Sequence, residues 1–473
     1  MTRDLSPKFG FFSFLILSLC FALQAKPNLI FIMADDLGYG DLGCFGQKLI
    51  KTPRLDQMAK EGMKFTRFYS GSTVCAPSRS VLMTGQHMGH THVRGNAGGD
   101  MSRQSLREID ITVAEKLKDA GYATALIGKW GLGETGQEGH PLKQGFDYFY
   151  GYLNQVHAHN FYPEFLWRNQ KKHVLKNVVK PISDKPRAGF MGGAATKRVE
   201  YSHDLFTQEA LTWIKTNKEN PFFLYLPLTI PHANNEGTRM FGDGAEVPDY
   251  GIYEKEDWSK QDKGQAAMIT RMDRDVGKIL DLLVELKIEE NTLVMFTSDN
   301  GPHNEAGHNP KLFIPAGPLR GMKRTLTEGG IRVPTLAWWP QTIKPNSISD
   351  QPLYFGDLMA TACEMSGTKL PAETDSLSFL PSLQGNTAKQ KRHKFLYWEF
   401  YERTFRQAVV MENWKLIRAD MDNQRLELYD LKNDIHEDSN LIQEQPAVAQ
   451  RMLSYMETAH SPHPNWPTPG RKK

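Results

Sequence analysis

Between residues 27 and about 345 the chain alternates short apolar runs with amphipathic helical stretches, and this alternation constrains the fold most. The run PNLIFIMADD is typical of a buried strand that ends in two aspartates. Three later stretches each combine a helix with a following strand: TVAEKLKDAGYATALIGKW, DLFTQEALTWIKTNKENPFFLYLPLTIPH and ITRMDRDVGKILDLLVELKIEENTLVMFTSDNG. Strands that alternate with helices predict an α/β fold, with a mainly parallel sheet covered by helices on both faces.

After residue 350 the pattern changes. KFLYWEF, RQAVVMENWKLIRA and RLELYDLKND are typical of short strands joined by turns, and PAVAQRMLSYMETAH is typical of a helix. We therefore expect a large α/β domain over residues 26–350 and a smaller antiparallel α+β domain over residues 351–473. The tail SPHPNWPTPGRKK is rich in proline and is expected to be loosely ordered.

The first 25 residues differ from the rest of the chain. MTRDLSPKFG carries Arg3 and Lys8, an apolar run FFSFLILSLCFAL follows, and Ala25 is a small residue at a suitable cleavage point. This order predicts a signal peptide over residues 1–25, and hence export to the periplasm or the medium. The apolar run is shorter than the roughly 20 residues that a spanning helix needs, so no stable membrane anchor is expected.

The net charge of the whole chain is only +3, and its basic residues are scattered. This charge pattern gives no indication of a nucleic-acid partner.

Polar side chains follow four of the predicted strands. The residues are Asp35, Asp36, Lys129, His232, Asp299 and Asn300. Because the carboxyl ends of parallel strands share one edge, where ligands bind, we expect these side chains to form a single active site. The oxygen donors among them, Asp35, Asp36, Asp299 and Asn300, suit a hard cation, and three carboxylates with an amide favour Ca²⁺. Either pair alone would serve equally well as a helix cap or a turn.

Cationic groups accompany the proposed metal ligands. Lys129, His232, Lys323 and Arg79 are the main candidates, and Arg320 is a further possible anion contact. A metal with several cations indicates an anionic substrate, such as a phosphate or sulfate ester.

Cys44, Cys75 and Cys363 remain after removal of the signal peptide, and an odd number leaves at least one thiol free. Cys75 lies in STVCAPSRSVLMTG, at the start of a predicted helix and among polar residues. A thiolate there could be activated by the helix N-terminus and by Arg79. An exposed reactive thiol is nevertheless a liability in an oxidising compartment.

The segment CAPSRSVLMTG resembles the cysteine motif of type I sulfatases, Cys-x-Pro-Ser-Arg followed by Thr-Gly. The similarity extends over nearly the whole mature chain, through PNLIFIMADDLGYGDLGCFG, TPRLDQMAKEGMKFTRFYS, GYATALIGKWGLG, PFFLYLPLTIPH, TLVMFTSDNG, TEGGIRVP, WKLIRA and LELYDLKND. The resemblance implies an alkaline-phosphatase-like core and a sulfuric ester hydrolase that removes sulfate from a sulfated carbohydrate.

The resemblance also implies two cofactors. In this family the cysteine is converted to formylglycine, so Cys75 would be modified by a formylglycine-generating enzyme or an anaerobic sulfatase-maturating enzyme. Ca²⁺ would be bound by Asp35, Asp36, Asp299 and Asn300, with the modified Cys75 and a sulfate oxygen completing its shell. The aldehyde hydrate at position 75 would attack sulfur, and its second hydroxyl would then allow elimination of sulfate.

The remaining roles follow by resemblance. Arg79 would orient the hydrate, Lys129 and Lys323 would hold sulfate oxygens, and His232 would bind sulfate and donate a proton to the leaving alcohol. The chain departs from the family pattern at GKWGLG, where Gly131 stands in place of a histidine that contacts the hydrate. The group that accepts the proton during elimination is therefore left unassigned.

The segment FYGYLNQVHAHNFYP, residues 149–163, places His157 and His159 among aromatic residues. It is equally consistent with a sugar-binding subsite and with a buried aromatic cluster. Two other functions stay open: a phosphodiesterase or phosphonate monoester hydrolase of the same superfamily, and a non-catalytic binder of sulfated glycans.

Overall fold

A computed structural model describes residues 26–96, 100–402, 404–420 and 425–468, so the predicted signal peptide lies outside the described residues. The helices are α1 Pro53–Glu61, α2 Cys75–Thr84, α3 Val113–Asp119, α4 Gln155–Ala158, α5 Ser202–Asn217, α6 Asn235–Phe241, α7 Lys260–Leu286, α8 Pro310–Phe313, α9 Glu328–Ile331, α10 Asp357–Ser366, α11 Leu380–Leu383 and α12 Pro446–Ala459.

The strands are β1 Asn28–Ala34, β2 Met63–Phe65, β3 Phe68–Tyr69, β4 Ala123–Lys129, β5 Tyr148–Tyr152, β6 Phe165–Arg168, β7 Lys171–Val174, β8 Val178–Pro181, β9 Gly193–Lys197, β10 Phe222–Pro227, β11 Thr292–Ser298, β12 Thr335–Trp338, β13 Ser347–Ser349, β14 Leu353–Tyr354, β15 Leu396–Phe400, β16 Arg406–Met411, β17 Trp414–Asp420 and β18 Arg425–Asp430.

A ten-stranded sheet forms the centre of the molecule, in the order β13-β2-β12-β11-β1-β10-β4-β5-β6-β7. The five neighbouring strands β11, β1, β10, β4 and β5 run parallel. Strand β12 is antiparallel to β11 and to β2, and β6 and β7 add an antiparallel hairpin at one edge. The predicted mainly parallel α/β sheet is confirmed.

The central strands are buried on both faces, which explains why their sequences are apolar runs without alternation. In β1, Leu29, Phe31 and Met33 join one hydrophobic core, whereas Ile30 and Ile32 join a second core on the other face. Residues of α3 and α10 contribute to the first core, and residues of α1, α5 and α7 contribute to the second. Burying each such side chain stabilises the fold by about 1.5–3 kcal/mol.

Strands β15 to β18 form a separate antiparallel sheet, as predicted for the C-terminal region. One face packs against α12, with Leu416 and Met452 in the same hydrophobic cluster, and the other face joins the main core through Trp398. The ammonium of Lys415 is buried in this sheet between Glu328, at 2.9 Å, and Glu437, at 3.2 Å. The small sheet and the large domain therefore share buried contacts.

The expectation of a loosely ordered tail is wrong for residues 461–466. Trp466 is buried, and its indole N–H donates to the carbonyl of His92 at 3.0 Å. The Arg103 guanidinium lies over the same ring, 4.2 Å from its centre. An aromatic anchor thus overrides the effect of the prolines. Among the described helices, none has the length and apolar character required to cross a membrane.

Candidate active site

Four adjacent parallel strands end at one edge of the large sheet, and the polar residues predicted from the sequence follow these strands. Asp35 and Asp36 come after β1, and Asp299 and Asn300 come after β11. Lys129 is the last residue of β4, and His232 lies in the loop after β10. The Asp35 amide donates to the Ile230 carbonyl at 3.2 Å, which holds this loop against the end of β1.

Cys75 is the first residue of α2 and lies at the centre of this edge. Its Sγ is 3.5 Å from Asp35 Oδ1, and only 2% of the residue is exposed. The polar neighbours of Cys75 in the sequence suggested an exposed thiol, but the strand ends and α2 enclose this residue. Burial raises the pKa of the Cys75 thiol far above its ordinary value, and the nearby lysines only partly oppose this effect.

Arg79 connects α2 to the ends of β4 and β11. Its Nη2 donates to Asp299 Oδ2 at 2.7 Å and lies 3.7 Å from Asp35 Oδ2, and its Nη1 donates to the carbonyl of Lys129. The guanidinium is fully buried and held from several sides. Such a fixed arginine adds positive charge beside Cys75 without freedom to move away.

Two buried lysines pair with the two aspartates that follow β1. Lys129 Nζ is 2.6 Å from Asp35 Oδ2, and Lys323 Nζ is 2.6 Å from Asp36 Oδ2. Burial opposes the charge of Asp35, but the positive charges around it, first that of Lys129, hold its pKa well below the usual range. Burial and the charge of Asp35 raise the pKa of Asp299 to about 7. Three carboxyl groups so close together repel one another, and a bound cation would relieve this repulsion.

Asn300 provides the observation that tests whether these residues fit a metal ion. Its amide nitrogen donates to Asp36 Oδ1 at 2.7 Å and to the Gly301 carbonyl at 2.9 Å. Its Oδ1 is buried and has no hydrogen-bond partner among the described residues. A buried carbonyl oxygen without a donor, next to several carboxylates, fits a hard divalent cation that takes oxygen ligands.

His232 is fixed in one tautomer. Its Nδ1 is 2.7 Å from the carbonyl of Ala233 and must donate to it. Its Nε2 is therefore an acceptor, and Lys323 Nζ donates to it at 3.1 Å. Burial, together with Lys323, lowers the pKa of His232 well below its ordinary value.

His159 belongs to the same group of side chains. Its ring stacks on that of His232 with 5.0 Å between centres, and its Nδ1 is 2.9 Å from Glu236 Oε2. His157 lies elsewhere, stacked on Phe190 at 4.2 Å beside a cavity of about 230 Å³. Burial lowers the pKa of His157 to about 3.

Arg320 faces the C-terminal sheet. Its guanidinium lies 4.8 Å from the ring centre of Tyr429, and its Nη2 is 3.6 Å from Glu427. Among the described contacts of Arg320, none reaches Cys75 or the residues that surround it. The structure thus brings together all the other predicted catalytic and metal-binding residues but not this one.

Two further residues at this edge, Glu305 and Arg324, were not predicted from the sequence. Glu305 is mostly buried; burial opposes its charge, but Lys323 and then His232 lower its pKa to about 2. Arg324 donates to Glu305 at 2.8 Å and to Glu402 of the C-terminal region at 3.2 Å. The polar segment PHNEAGHNP, directly after the DNG motif, was the available signal for Glu305.

Gln155 occupies the space beside Gly131. A Cβ at position 131 would lie 3.0 Å from Gln155 Nε2, and this nitrogen is buried without a hydrogen-bond partner in the described chain. The backbone of Gly131 has a φ of +79°, a conformation that favours glycine. A carboxamide fills the position next to this glycine, and a carboxamide does not act as a base at neutral pH.

Comparisons with known proteins agree with this arrangement. The sulfatase family profile matches residues 27–368, and the profile of the C-terminal region of N-sulphoglucosamine sulphohydrolase matches residues 322–460. An N-acetylgalactosamine-6-O-sulfatase of Bacteroides thetaiotaomicron is 30% identical, with 92% of this chain and 93% of that protein covered. The N-acetylgalactosamine-6-sulfatase of Canis lupus familiaris is 34% identical over 76% of this chain, which spans 66% of that relative's length.

Solved structures show the same architecture. The crystal structure of Ps i-CgsB has a TM-score of 0.76 and 27% identity, with 94% of each chain covered. The phosphonate monoester hydrolase of Agrobacterium radiobacter, at 18% identity and a TM-score of 0.63, shares the fold. The expected alkaline-phosphatase-like core is confirmed by these neighbours. The profile match over most of the chain, with the residues gathered around Cys75, establishes that this chain belongs to the sulfatase family.

Proposed function

We propose that this protein is a sulfuric ester hydrolase that removes sulfate from a sulfated carbohydrate, using Ca²⁺ and a formylglycine made from Cys75. The observation that carries the proposal is the position of Cys75, buried at the start of α2 between carboxylates and cations. A thiol whose pKa is raised by burial is a poor nucleophile. The same position suits an aldehyde whose hydrate is held by charged neighbours.

The hydrated aldehyde would supply the attacking hydroxyl, and Ca²⁺ would supply positive charge for the sulfate oxygens. The ligands for the cation would be Asp35, Asp36, Asp299 and Asn300. Arg79, fixed by Asp299 and by the carbonyl of Lys129, would orient the oxygen of the modified residue 75. The ammonium groups of Lys129 and Lys323 flank the site and offset the negative charge that develops on the sulfate.

The leaving alcohol needs a proton. Lys323 Nζ donates a proton to the hydrogen bond with His232 Nε2, at 3.1 Å. The bond from His232 Nδ1 to the Ala233 carbonyl keeps Nε2 directed at that proton. We assign the proton of this pair to the leaving oxygen. His159, stacked on His232 and anchored by Glu236, positions the imidazole for this transfer.

A sulfated carbohydrate is the proposed substrate class because of the relatives. Two of them are named for N-acetylgalactosamine 6-sulfate, and one solved structure at 28% identity is a complex of Ps i-CgsB with k-i-k-neocarrahexaose. We also propose that a formylglycine-generating or anaerobic sulfatase-maturating enzyme modifies Cys75.

We further propose that the protein is exported after cleavage near Ala25, on the basis of the N-terminal sequence. N-terminal sequencing of protein recovered from the periplasm or the medium tests this proposal. A mature chain that begins close to residue 26 supports it, and an intact Met1 in the cell extract contradicts it.

Comparison of an aryl sulfate with an aryl phosphodiester tests the reaction class. Matured protein is expected to hydrolyse 4-nitrophenyl sulfate with the higher kcat/KM, and Cys75→Ala is expected to abolish this activity. Preference for the diester would favour a phosphodiesterase, and binding of sulfated glycan without hydrolysis of either ester would favour a non-catalytic binder.

A further inference from the structure

The basic residues of this chain are not scattered, contrary to the expectation from the sequence. Nine lysines and arginines and only one acidic residue, Asp184, lie between residues 168 and 198. The whole chain has a net charge of +3, so the rest of it is net acidic. The nine basic residues are all exposed: Arg168, Lys171, Lys172, Lys176, Lys180, Lys185, Arg187, Lys197 and Arg198. We call residues 168–198 the basic segment.

The basic segment comprises strand β7 at the edge of the large sheet and the hairpin formed by β8 and β9. The loop of this hairpin, residues 182–192, reaches the active-site edge. Asn154, the N-cap of α4, donates to the Ala188 carbonyl in this loop at 2.9 Å. A Cβ on Gly192 would lie 3.0 Å from Glu236 Cγ, so the loop packs directly on the residue that anchors His159.

Few of these charges are neutralised within the protein. Arg168 pairs with Glu209 at 2.8 Å, and Arg198 pairs with Glu246. The ammonium of Lys172 lies 4.2 Å from the ring centre of Phe165. For the other six, no salt bridge is found within the described parts of the chain: Lys171, Lys176, Lys180, Lys185, Arg187 and Lys197.

A structural explanation accounts for only part of this charge. Lysines on an edge strand prevent pairing with another sheet, and Lys171 and Lys172 lie on the edge strand β7. This explanation does not extend to Lys185 and Arg187, which lie in the hairpin loop beside the active site. Lys185 and Arg187 form no salt bridge within the described residues, although Arg187 lies close enough to Glu236 to interact with its charge. Exposed cations beside an active site create a positive potential that attracts a polyanion.

We propose that the basic segment binds further sulfate groups of a polysulfated polysaccharide while one sulfate ester of that chain occupies the site at Cys75. The proposal rests on the proposed function and adds the substrate class, a polymer with several anionic groups. The exposed side chains lie in water, so their attraction for the polymer is long-range and weakens with salt.

The test compares two triple variants with the same change in net charge. Lys180→Gln, Lys185→Gln and Arg187→Gln remove charge from the hairpin. Lys215→Gln, Lys218→Gln and Lys287→Gln remove exposed charges from the ends of α5 and α7, just before β10 and β11 and thus at the opposite edge of the sheet. Each set is made in the full chain with Cys75→Ala, so that the polymer is bound but not hydrolysed.

Binding of polymeric chondroitin 6-sulfate is then titrated at low and high ionic strength. The hairpin triple is expected to raise Kd about tenfold at low salt and to flatten the salt dependence, and the control triple is expected to leave Kd unchanged. Equal Kd values for the two triples would overturn the proposal. Equally tight binding of DNA or of phosphatidylserine vesicles would also overturn it, because the surface would then not select a sulfated glycan.

Hydrolysis of 4-nitrophenyl sulfate by matured protein with Cys75 intact separates this proposal from the proposed function. If that hydrolysis is absent while the hairpin triple still loses polymer binding selectively, the proposed function is contradicted and the proposed binding surface is supported. If hydrolysis is present and the two triple variants bind the polymer equally well, the proposed function is supported and the proposed binding surface is contradicted.

Discussion

Gln155 packs against Gly131, filling the volume that a side chain at position 131 would need. A Cβ there would lie 3.0 Å from Gln155 Nε2 and 3.1 Å from its Cγ. The chain therefore combines a glycine at this position with a neighbour whose amide takes the adjacent space.

Gly131→Ala is predicted to destabilise the protein for two reasons. The φ of +79° costs a residue with a Cβ about 1–2 kcal/mol, and the contact with Gln155 adds to that cost. Urea unfolding measures the free energy of unfolding. In a Gln155→Ala background the penalty of Gly131→Ala should fall but not vanish.

Gly136→Ala is the matched control for this prediction. Gly136 has a φ of +87°, and a Cβ there would meet no atom of the described residues within 4 Å, so only the cost of the backbone conformation applies. If Gly131→Ala and Gly136→Ala cost the same, and Gln155→Ala has no influence, the packing of Gln155 on Gly131 is not as described.

Asn300 is predicted to contribute to Ca²⁺ binding through its buried Oδ1, which has no hydrogen-bond partner in the described parts of the chain. Ca²⁺ should raise the Tm of the natural protein, because a ligand present at about 100 times its Kd stabilises by about 2.7 kcal/mol. Asn300→Ala should show a clearly smaller rise, and EGTA should remove the difference between the two proteins. Differential scanning fluorimetry measures both shifts.

Asn291→Ala is the control for the metal prediction, since the Asn291 side chain donates to the carbonyl of Lys26 and precedes β11 at the opposite edge. Its Ca²⁺-dependent shift should match that of the natural protein. A full shift in Asn300→Ala would contradict the assignment of Asn300 as a ligand.

His157 is predicted to make the protein sensitive to acid. Its pKa falls from 6.5 to about 3 on folding because the ring is buried, so the folded state favours the neutral form. The stability that depends on this form is present above the unfolded pKa and is lost as the pH falls from about 6.5 towards 3. The free energy of unfolding then falls by at most about 1.4 kcal/mol per pH unit.

His157→Phe should keep the aromatic stack with Phe190 and remove this proton-linked loss. Its free energy of unfolding, measured in urea from pH 7 to pH 4, should improve relative to the natural protein as the pH falls. His436→Gln, at an exposed position, should not change the pH dependence. If the free energy of unfolding depends on pH in the same way for His157→Phe and the natural protein, burial of the neutral ring is not a source of acid sensitivity.

His159 is predicted to act on catalysis through His232. Loss of the stacked ring in His159→Gln frees the His232 imidazole, and kcat on 4-nitrophenyl sulfate should fall about tenfold or more with a smaller change in KM.

The same variant and His157→Phe, assayed on a panel of sulfated sugars, test the sugar-subsite hypothesis. Unchanged selectivity in both would contradict that hypothesis, and a change in KM alone for His159→Gln would contradict the positioning role.

The sequence predicted the parallel sheet and its active edge because strands buried on both faces leave long apolar runs, and the residues after Ala34 and Ser298 interrupt those runs with carboxylates. It did not predict that Cys75 is buried, since enclosure depends on contacts far along the chain. Arg320 packs on Tyr429, and Gln155 packs on Gly131. Both contacts join residues that are distant in the sequence, so no local sequence pattern predicts them. The nine basic residues of the basic segment can be counted in the sequence, but the position of its hairpin loop beside Glu236 depends on the fold.

In the proposed mechanism, Cys75 is converted to formylglycine, and this residue starts the hydrolysis. Mass spectrometry of the peptide that spans residue 75, from protein purified from its native host, decides whether the conversion takes place. We expect a peptide in which the thiol of Cys75 has been replaced by an aldehyde, together with hydrolysis of 4-nitrophenyl sulfate by the same sample. An intact Cys75 thiol throughout a sample that hydrolyses the ester would contradict the proposed mechanism.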